Sequence, residues 1–130
     1  MDAQGSLDAI TLKMAMSAIV RQVNIVQERV SGAYGFLRAR LVLTNDDFLE
    51  VSEFFTVEQG QGQTVEYRHQ WMDQTRQVMR KRWENATHYP GLPNFPHHIH
   101  GGDETRIEPG RPIGVVELIE VLEREMETTL

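Results

Sequence analysis

The side chains able to do chemistry concentrate at a few positions. The run Phe95-Pro96-His97-His98-Ile99-His100-Gly101-Gly102-Asp103 is the densest, and four of the five histidines lie between His88 and His100. Three readings fit it. His97, His98 and His100 offer imidazole nitrogens to a divalent ion such as zinc, nickel or iron, with Asp103 or Glu104 as a hard ligand. Two imidazoles can also move protons without any metal. The third reading is a loop pinned by hydrogen bonds. His-His-x-His matches no defined zinc pattern such as His-Glu-x-x-His, so the spacing does not choose among them.

Two further polar residues interrupt apolar strand faces. Leu49, Val51, Phe55 and Val57 share one face, with Glu53 among them. Val65, Tyr67 and Trp71 share another, with His69 among them. A turn centred near Gln61 makes Glu53 and His69 cross-strand partners. A carboxylate beside an imidazole sets its tautomer and basicity, as a general base requires. The same contact is also a plain way to satisfy two buried polar groups.

Arg76, Arg80, Lys81 and Arg82 follow in a stretch without an acid. Either Met79, Lys81 and Trp83 face inward there, or Val78, Arg80 and Arg82 do. In the second case Arg80 or Arg82 joins Glu53 and His69, where a guanidinium can orient the carboxylate or bind phosphate. In the first case the strand is a solvated basic edge.

The elements that must position these groups are read from periodicity. Leu12, Met16, Ile19, Val23, Val26 and Val30 recur at steps of three and four, which predicts one helix from Leu7 to about Val30. Ser6 is its expected N-cap and Gly32 its stop. Its broad apolar surface suits packing on a sheet, and part of it suits a homodimer. Four strands follow, over about 34–43, 48–57, 64–72 and 76–83, joined by short links rich in Gly, Asn and Asp. Residues 86–111 hold four of the five prolines and read as an irregular, histidine-rich loop. A second helix runs from Pro112 to about Thr128, with Val115, Leu118, Ile119, Leu122 and Met126 as its apolar face. The expected fold is α+β: a four-stranded antiparallel meander packed against a long N-terminal helix and a C-terminal helix, in one domain over residues 1–130.

Composition narrows the function classes. The chain has no cysteine, which excludes disulfides, thiolate metal sites and cysteine nucleophiles. The net charge of −6 speaks against a simple nucleic-acid coat. The acids crowd into residues 103–127, however, and the rest of the chain is close to neutral. That body is compatible with a phosphate-bearing substrate. The start lacks a basic leader and no apolar run reaches membrane-spanning length, so a cytoplasmic protein without membrane attachment is expected.

The order and spacing of three segments resemble one family. They are Tyr67-Arg68-His69-Gln70-Trp71-Met72-Asp73, Arg82-Trp83-Glu84-Asn85-Ala86-Thr87-His88, and Phe95-Pro96-His97-His98-Ile99-His100-Gly101. Together they resemble the TumE family of toxin–antitoxin system proteins over roughly residues 7–126. The resemblance picks out Glu53, Tyr67, His69, Arg82, Asn85, His88, His97, His98 and His100. Glu84 and Thr87 depart from it, standing where the family tends to have aspartate and proline. It implies a toxin-like protein with a cognate antitoxin.

Two functions are weighed. The first is a toxin acting on RNA as a small endoribonuclease that needs no cofactor. His69, tuned by Glu53, takes the proton of a 2′-hydroxyl. His97 or His98 protonates the leaving oxygen, and Arg82 or Arg80 stabilises the charge on phosphorus. Trp71 or Trp83 stacks a base. Tyr67, Asn85 and His88 complete the substrate side. The second is a non-catalytic regulatory module that binds a metal at His97, His98 and His100, or binds a partner.

Overall fold

The computed structural model describes residues 1–103 and 105–128. Glu104, named above as a hard ligand, lies outside them. The chain runs α1 (Ala3–Met16), β1 (Val20–Ser31), β2 (Tyr34–Leu43), β3 (Phe48–Glu58), β4 (Gln61–Met72), β5 (Met79–Glu84), β6 (His98–Gly101), β7 (Ile107–Pro109) and α2 (Val115–Thr128). Among the described residues the seven strands make one antiparallel sheet in chain order. No helix among them is long and apolar enough to cross a membrane.

The α+β class and the two terminal helices hold, but the strand count is corrected from four to seven. One added strand comes from the expected long helix. Residues 20–31 are rich in Val and Ile, whose branched side chains suit a pleated surface. Bulges at Val20/Gln22 and Ile25/Gln27 shift the phase of the alternation, so it imitates a helical step. Asp2, not Ser6, caps α1, accepting from the Gly5 N–H at 2.8 Å. Gly32 (φ 61°) opens the two-residue turn between β1 and β2. Of the stripe expected to seal a dimer, only Leu12 and Met16 lie on α1, and both are exposed.

Two more strands come from the expected loop. In β6 the buried positions of the alternation are filled by His98 and His100 rather than by apolar residues. A hydrophobic pattern therefore cannot reveal this strand.

The core lies between the two helices and one sheet face. Leu37, Ala39, Leu41 and Leu43 of β2 and Leu49, Val51 and Phe55 of β3 meet Leu7, Ile10 and Met14 of α1 and Leu118, Ile119 and Leu122 of α2. These buried apolar chains supply the main hydrophobic stabilisation, about 1.5–3 kcal/mol for each large one. Pro112 stands ahead of α2 rather than in its first turn. The opposite sheet face carries no helix, and alternation places Phe36, Arg38, Glu50, Ser52, Phe54, Arg68, Arg82, Glu84, His98 and His100 there.

Candidate functional site

On the helix-free face, β5 and β6 pair so that Glu84 lies opposite His98 and Arg82 opposite His100. All four side chains are buried. Glu84 is their hub. Its Oε2 sits 2.9 Å from Arg82 Nε and 3.4 Å from Arg68 Nε. Its Oε1 sits 3.1 Å from His98 Nε2 and 3.7 Å from His100 Nε2. Burial alone would raise the Glu84 pKa, but the Arg82 charge and the His98 contact outweigh it and hold the carboxyl below its ordinary value. The other His98 nitrogen, Nδ1, is 2.9 Å from the Pro96 carbonyl oxygen. Tyr89 packs edge-on over both imidazoles, with ring centroids 5.0 Å and 6.1 Å away.

Glu84 is also reached from outside. A groove of about 450 Å³ opens on this face, and Phe36, Phe54, Arg68, Glu84, Asn85 and His88 are among its walls. Phe54 stacks on Tyr34 at 5.7 Å, forming an aromatic platform. The Arg68 side chain is half exposed and His88 is exposed. The groove thus combines flat apolar rings, a guanidinium and an imidazole with two carboxylates, Glu66 and Glu84.

The helix side of the sheet holds the other sequence-derived residues. Glu53 and His69 both face it, but they do not pair. The turn between β3 and β4 is the tight pair Gln59-Gly60 (φ 51° and 76°), and a bulge at Phe54/Phe55 resets the register. Glu53 therefore stands opposite Tyr67. Its Oε1 accepts from the Val115 N–H at 2.8 Å, and its Oε2 accepts from Thr64 Oγ1 at 2.7 Å. Glu53 thus anchors the start of α2, and burial raises its pKa despite those two bonds. His69 is fully buried. Its Nδ1 accepts from the Ser52 N–H at 3.4 Å, and its Nε2 lies 2.9 Å from the Ile113 carbonyl oxygen. One acceptor nitrogen and one donor nitrogen describe a neutral imidazole, and burial lowers the pKa to about 4.

His97 also points to the helix side. Its Nδ1 lies 2.9 Å from the Tyr67 hydroxyl, which donates to the Arg111 carbonyl oxygen at 3.1 Å. Burial, and then the neighbouring His98, lower the His97 pKa. Tyr67 stacks between His69 and His97. Burial raises the Tyr67 pKa, and the Glu84 charge adds to it.

The sheet therefore divides the proposed catalytic set. Glu53, His69 and His97 lie on its helix side, and Arg82 and His98 on the other. The metal set divides as well. Glu84, not His97, joins His98 and His100, and these three can hold one metal ion, their ligand atoms all lying within 4.8 Å of one another.

Other expected residues are occupied elsewhere. Arg80 binds the buried Asp47 (Nε to Oδ2, 2.7 Å) at the far end of the sheet. Trp71 Nε1 donates to the same Asp47 at 2.8 Å, and Trp83 is in the core. Asn85 spans β4, accepting from the Tyr67 N–H at 3.1 Å and donating to the Val65 carbonyl at 2.8 Å. Inward and outward residues of β5 resolve as Trp83 toward the core, with Arg82 and Glu84 on the opposite face.

Glu84, Arg68 and Tyr89 were not among the sequence-derived site residues. Glu84 follows Arg82 by two residues and so shares its strand face, a signal that was present. Tyr89 carried none, since its role depends on the path of the connection after β5.

No curated protein and no solved structure matched the chain. A family model described as Toxin TumE matches residues 8–130. With nearly its whole length matched, and its buried Glu84, His98 and His100 lying in the segments that carried the resemblance, the chain belongs to the TumE toxin family.

Proposed function

We propose that this toxin-family protein acts on RNA, cleaving it as a small endoribonuclease whose substrate lies in the groove on the helix-free face. One observation carries the reading: Glu84 belongs both to the buried Arg82–His98–His100 cluster and to the wall of an open groove. The Glu84 carboxylate thereby holds the half-exposed Arg68 guanidinium at a surface that also bears aromatic rings.

The roles follow from position. Phe36 and Phe54 stack splayed bases. Arg68, held toward Glu84, faces the scissile phosphate and stabilises the charge that develops on it. His88 exchanges a proton with the reacting oxygens, a task suited to an exposed imidazole. The 2′-oxygen attacks phosphorus as the 5′-oxygen leaves, and the proton released by the first oxygen is made good at the second. Arg82 and His98 act through Glu84 as positioning residues. His69, Glu53 and His97, on the other side of the sheet, are assigned to holding the α2 junction. As in other toxin–antitoxin systems, the partner is a cognate antitoxin.

The test is inducible expression with and without the neighbouring reading frame, scored for growth and RNA integrity. The reading expects RNA fragmentation with growth arrest, relieved by Arg68→Ala with His88→Ala. Growth arrest with intact RNA would overturn it.

A further inference from the structure

We propose that Glu84, His98 and His100 bind one divalent transition-metal ion of the zinc class, as a clasp between β5, β6 and the connection 85–97. The proposal does not rest on RNA cleavage.

Ligand chemistry is the first argument. Two imidazoles and one carboxylate form a borderline nitrogen–oxygen set, which suits zinc and its neighbours better than magnesium or calcium. Arg82 and Arg68 strengthen that preference. They already engage Glu84 Oε2 at 2.9 Å and 3.4 Å, which weakens the hold on a hard cation that depends on carboxylate charge. Oε1 remains directed at the two imidazoles.

Geometry is the second argument. Metal–nitrogen and metal–oxygen bonds of about 2.0–2.2 Å place two ligand atoms of one ion roughly 3–3.5 Å apart. Oε1 of Glu84 lies 3.1 Å from His98 Nε2 and 3.7 Å from His100 Nε2, so small side-chain adjustments complete the set.

The donor–acceptor pattern is the third. His98 Nδ1 faces the Pro96 carbonyl, an acceptor, so this nitrogen carries a proton. Nε2 of the same ring faces Glu84 Oε1, a second acceptor. With Nδ1 bonded to the carbonyl, the contact between Nε2 and Oε1 is favourable with either a second ring proton or a metal ion between the two atoms, so the ring is already oriented as a ligand. A backbone carbonyl that fixes the tautomer of a ligating histidine is the usual outer partner in metal sites. The ligands come from a strand pair whose hydrogen bonds hold them in register, and Tyr89 shields them from bulk water. An ion here would tie the floor of the groove to β6.

The test uses the full chain, prepared without metal-affinity resin and treated with chelator. It is titrated with zinc and, for its visible absorption, cobalt. Expected are one ion per chain, tetrahedral or five-coordinate cobalt bands, and a rise in melting temperature on loading. His98→Ala and His100→Ala should each weaken binding by more than about tenfold, and His97→Ala should leave it unchanged. Glu84→Asp, which keeps the counter-charge to Arg82, should shift the cobalt spectrum while sparing the fold, a readout that a poorly folding alanine variant cannot obscure. The proposal fails if the wild-type chain takes up no zinc or cobalt, or if His97→Ala abolishes binding as fully as His98→Ala. RNA integrity measured on the chelated protein keeps this outcome separate from the cleavage reading.

Discussion

Glu84 and His98 face each other across the β5–β6 pair, Oε1 to Nε2 at 3.1 Å, while Arg82 holds the other carboxylate oxygen at 2.9 Å. The carboxylate is the single negative group among three cationic or potentially cationic side chains in this buried cluster. Replacing it by Gln leaves the Arg82 charge buried without its counter-charge. Glu84→Gln should lower unfolding stability by about 3–5 kcal/mol, measured by urea denaturation. Glu84→Asp, which keeps the charge, should lose clearly less.

His69 gives a pH signature. Its folded pKa is lowered from 6.5 to about 4. Between those values the unfolded chain holds a proton that the folded chain does not, so stability falls as pH drops through the window. It is fully present above pH 6.5. On going from pH 7 to pH 5 the wild type should lose about 2 kcal/mol more than His69→Gln. Equal slopes for the two proteins would show that His69 does not titrate this way.

Gly114 is a packing constraint. A Cβ there would lie 2.8 Å from Glu53 Oε2 and 2.8 Å from Thr64 Oγ1. Moving those atoms disturbs the bonds that Glu53 makes to Thr64 and to the Val115 N–H at the start of α2. Gly114→Ala should cost about 1–3 kcal/mol by thermal or urea unfolding. An unchanged melting temperature would mean that the anchor can move.

The groove is tested by variants that spare the fold. Phe54→Ala should weaken binding of a single-stranded RNA oligonucleotide by about 1–3 kcal/mol in a fluorescence anisotropy titration. Arg68→Ala should reduce cleavage by about 100-fold. Arg21→Ala, on the far edge strand, should do neither. Matching losses for Arg21→Ala and Arg68→Ala would point to a non-specific charge effect.

Much of this architecture was legible in the residues. The alternation of Leu37, Ala39, Leu41 and Leu43, and the apolar face of Val115 to Leu122, gave the central strand and the second helix. Two physical effects hid the rest. Bulges in β1 made branched residues recur at helical steps, and imidazoles stood where β6 would otherwise show apolar side chains. Reading the β3–β4 link as five residues rather than a tight pair displaced the register by two positions, and so joined Glu53 to His69. The histidine segment stands out in the sequence by its density of imidazoles. Its division by the sheet, with His97 on one side and His98 and His100 on the other, is simple alternation once the strand is known.

Strand order that follows chain order has a consequence for assembly. Each strand from β2 onward can add to the one made just before it, and such local pairing is fast. The helical layer behaves differently. Lys13 meets Glu123 at 3.0 Å across 110 positions, and Glu53 meets the Val115 N–H across 62. A chain emerging from the ribosome can therefore lay down most of the sheet, groove rings included, while its apolar side still waits for α2. The aromatic and basic surface exists before the core is sealed, so a nascent toxin exposes two adhesive faces at once. An early-binding partner would have both within reach.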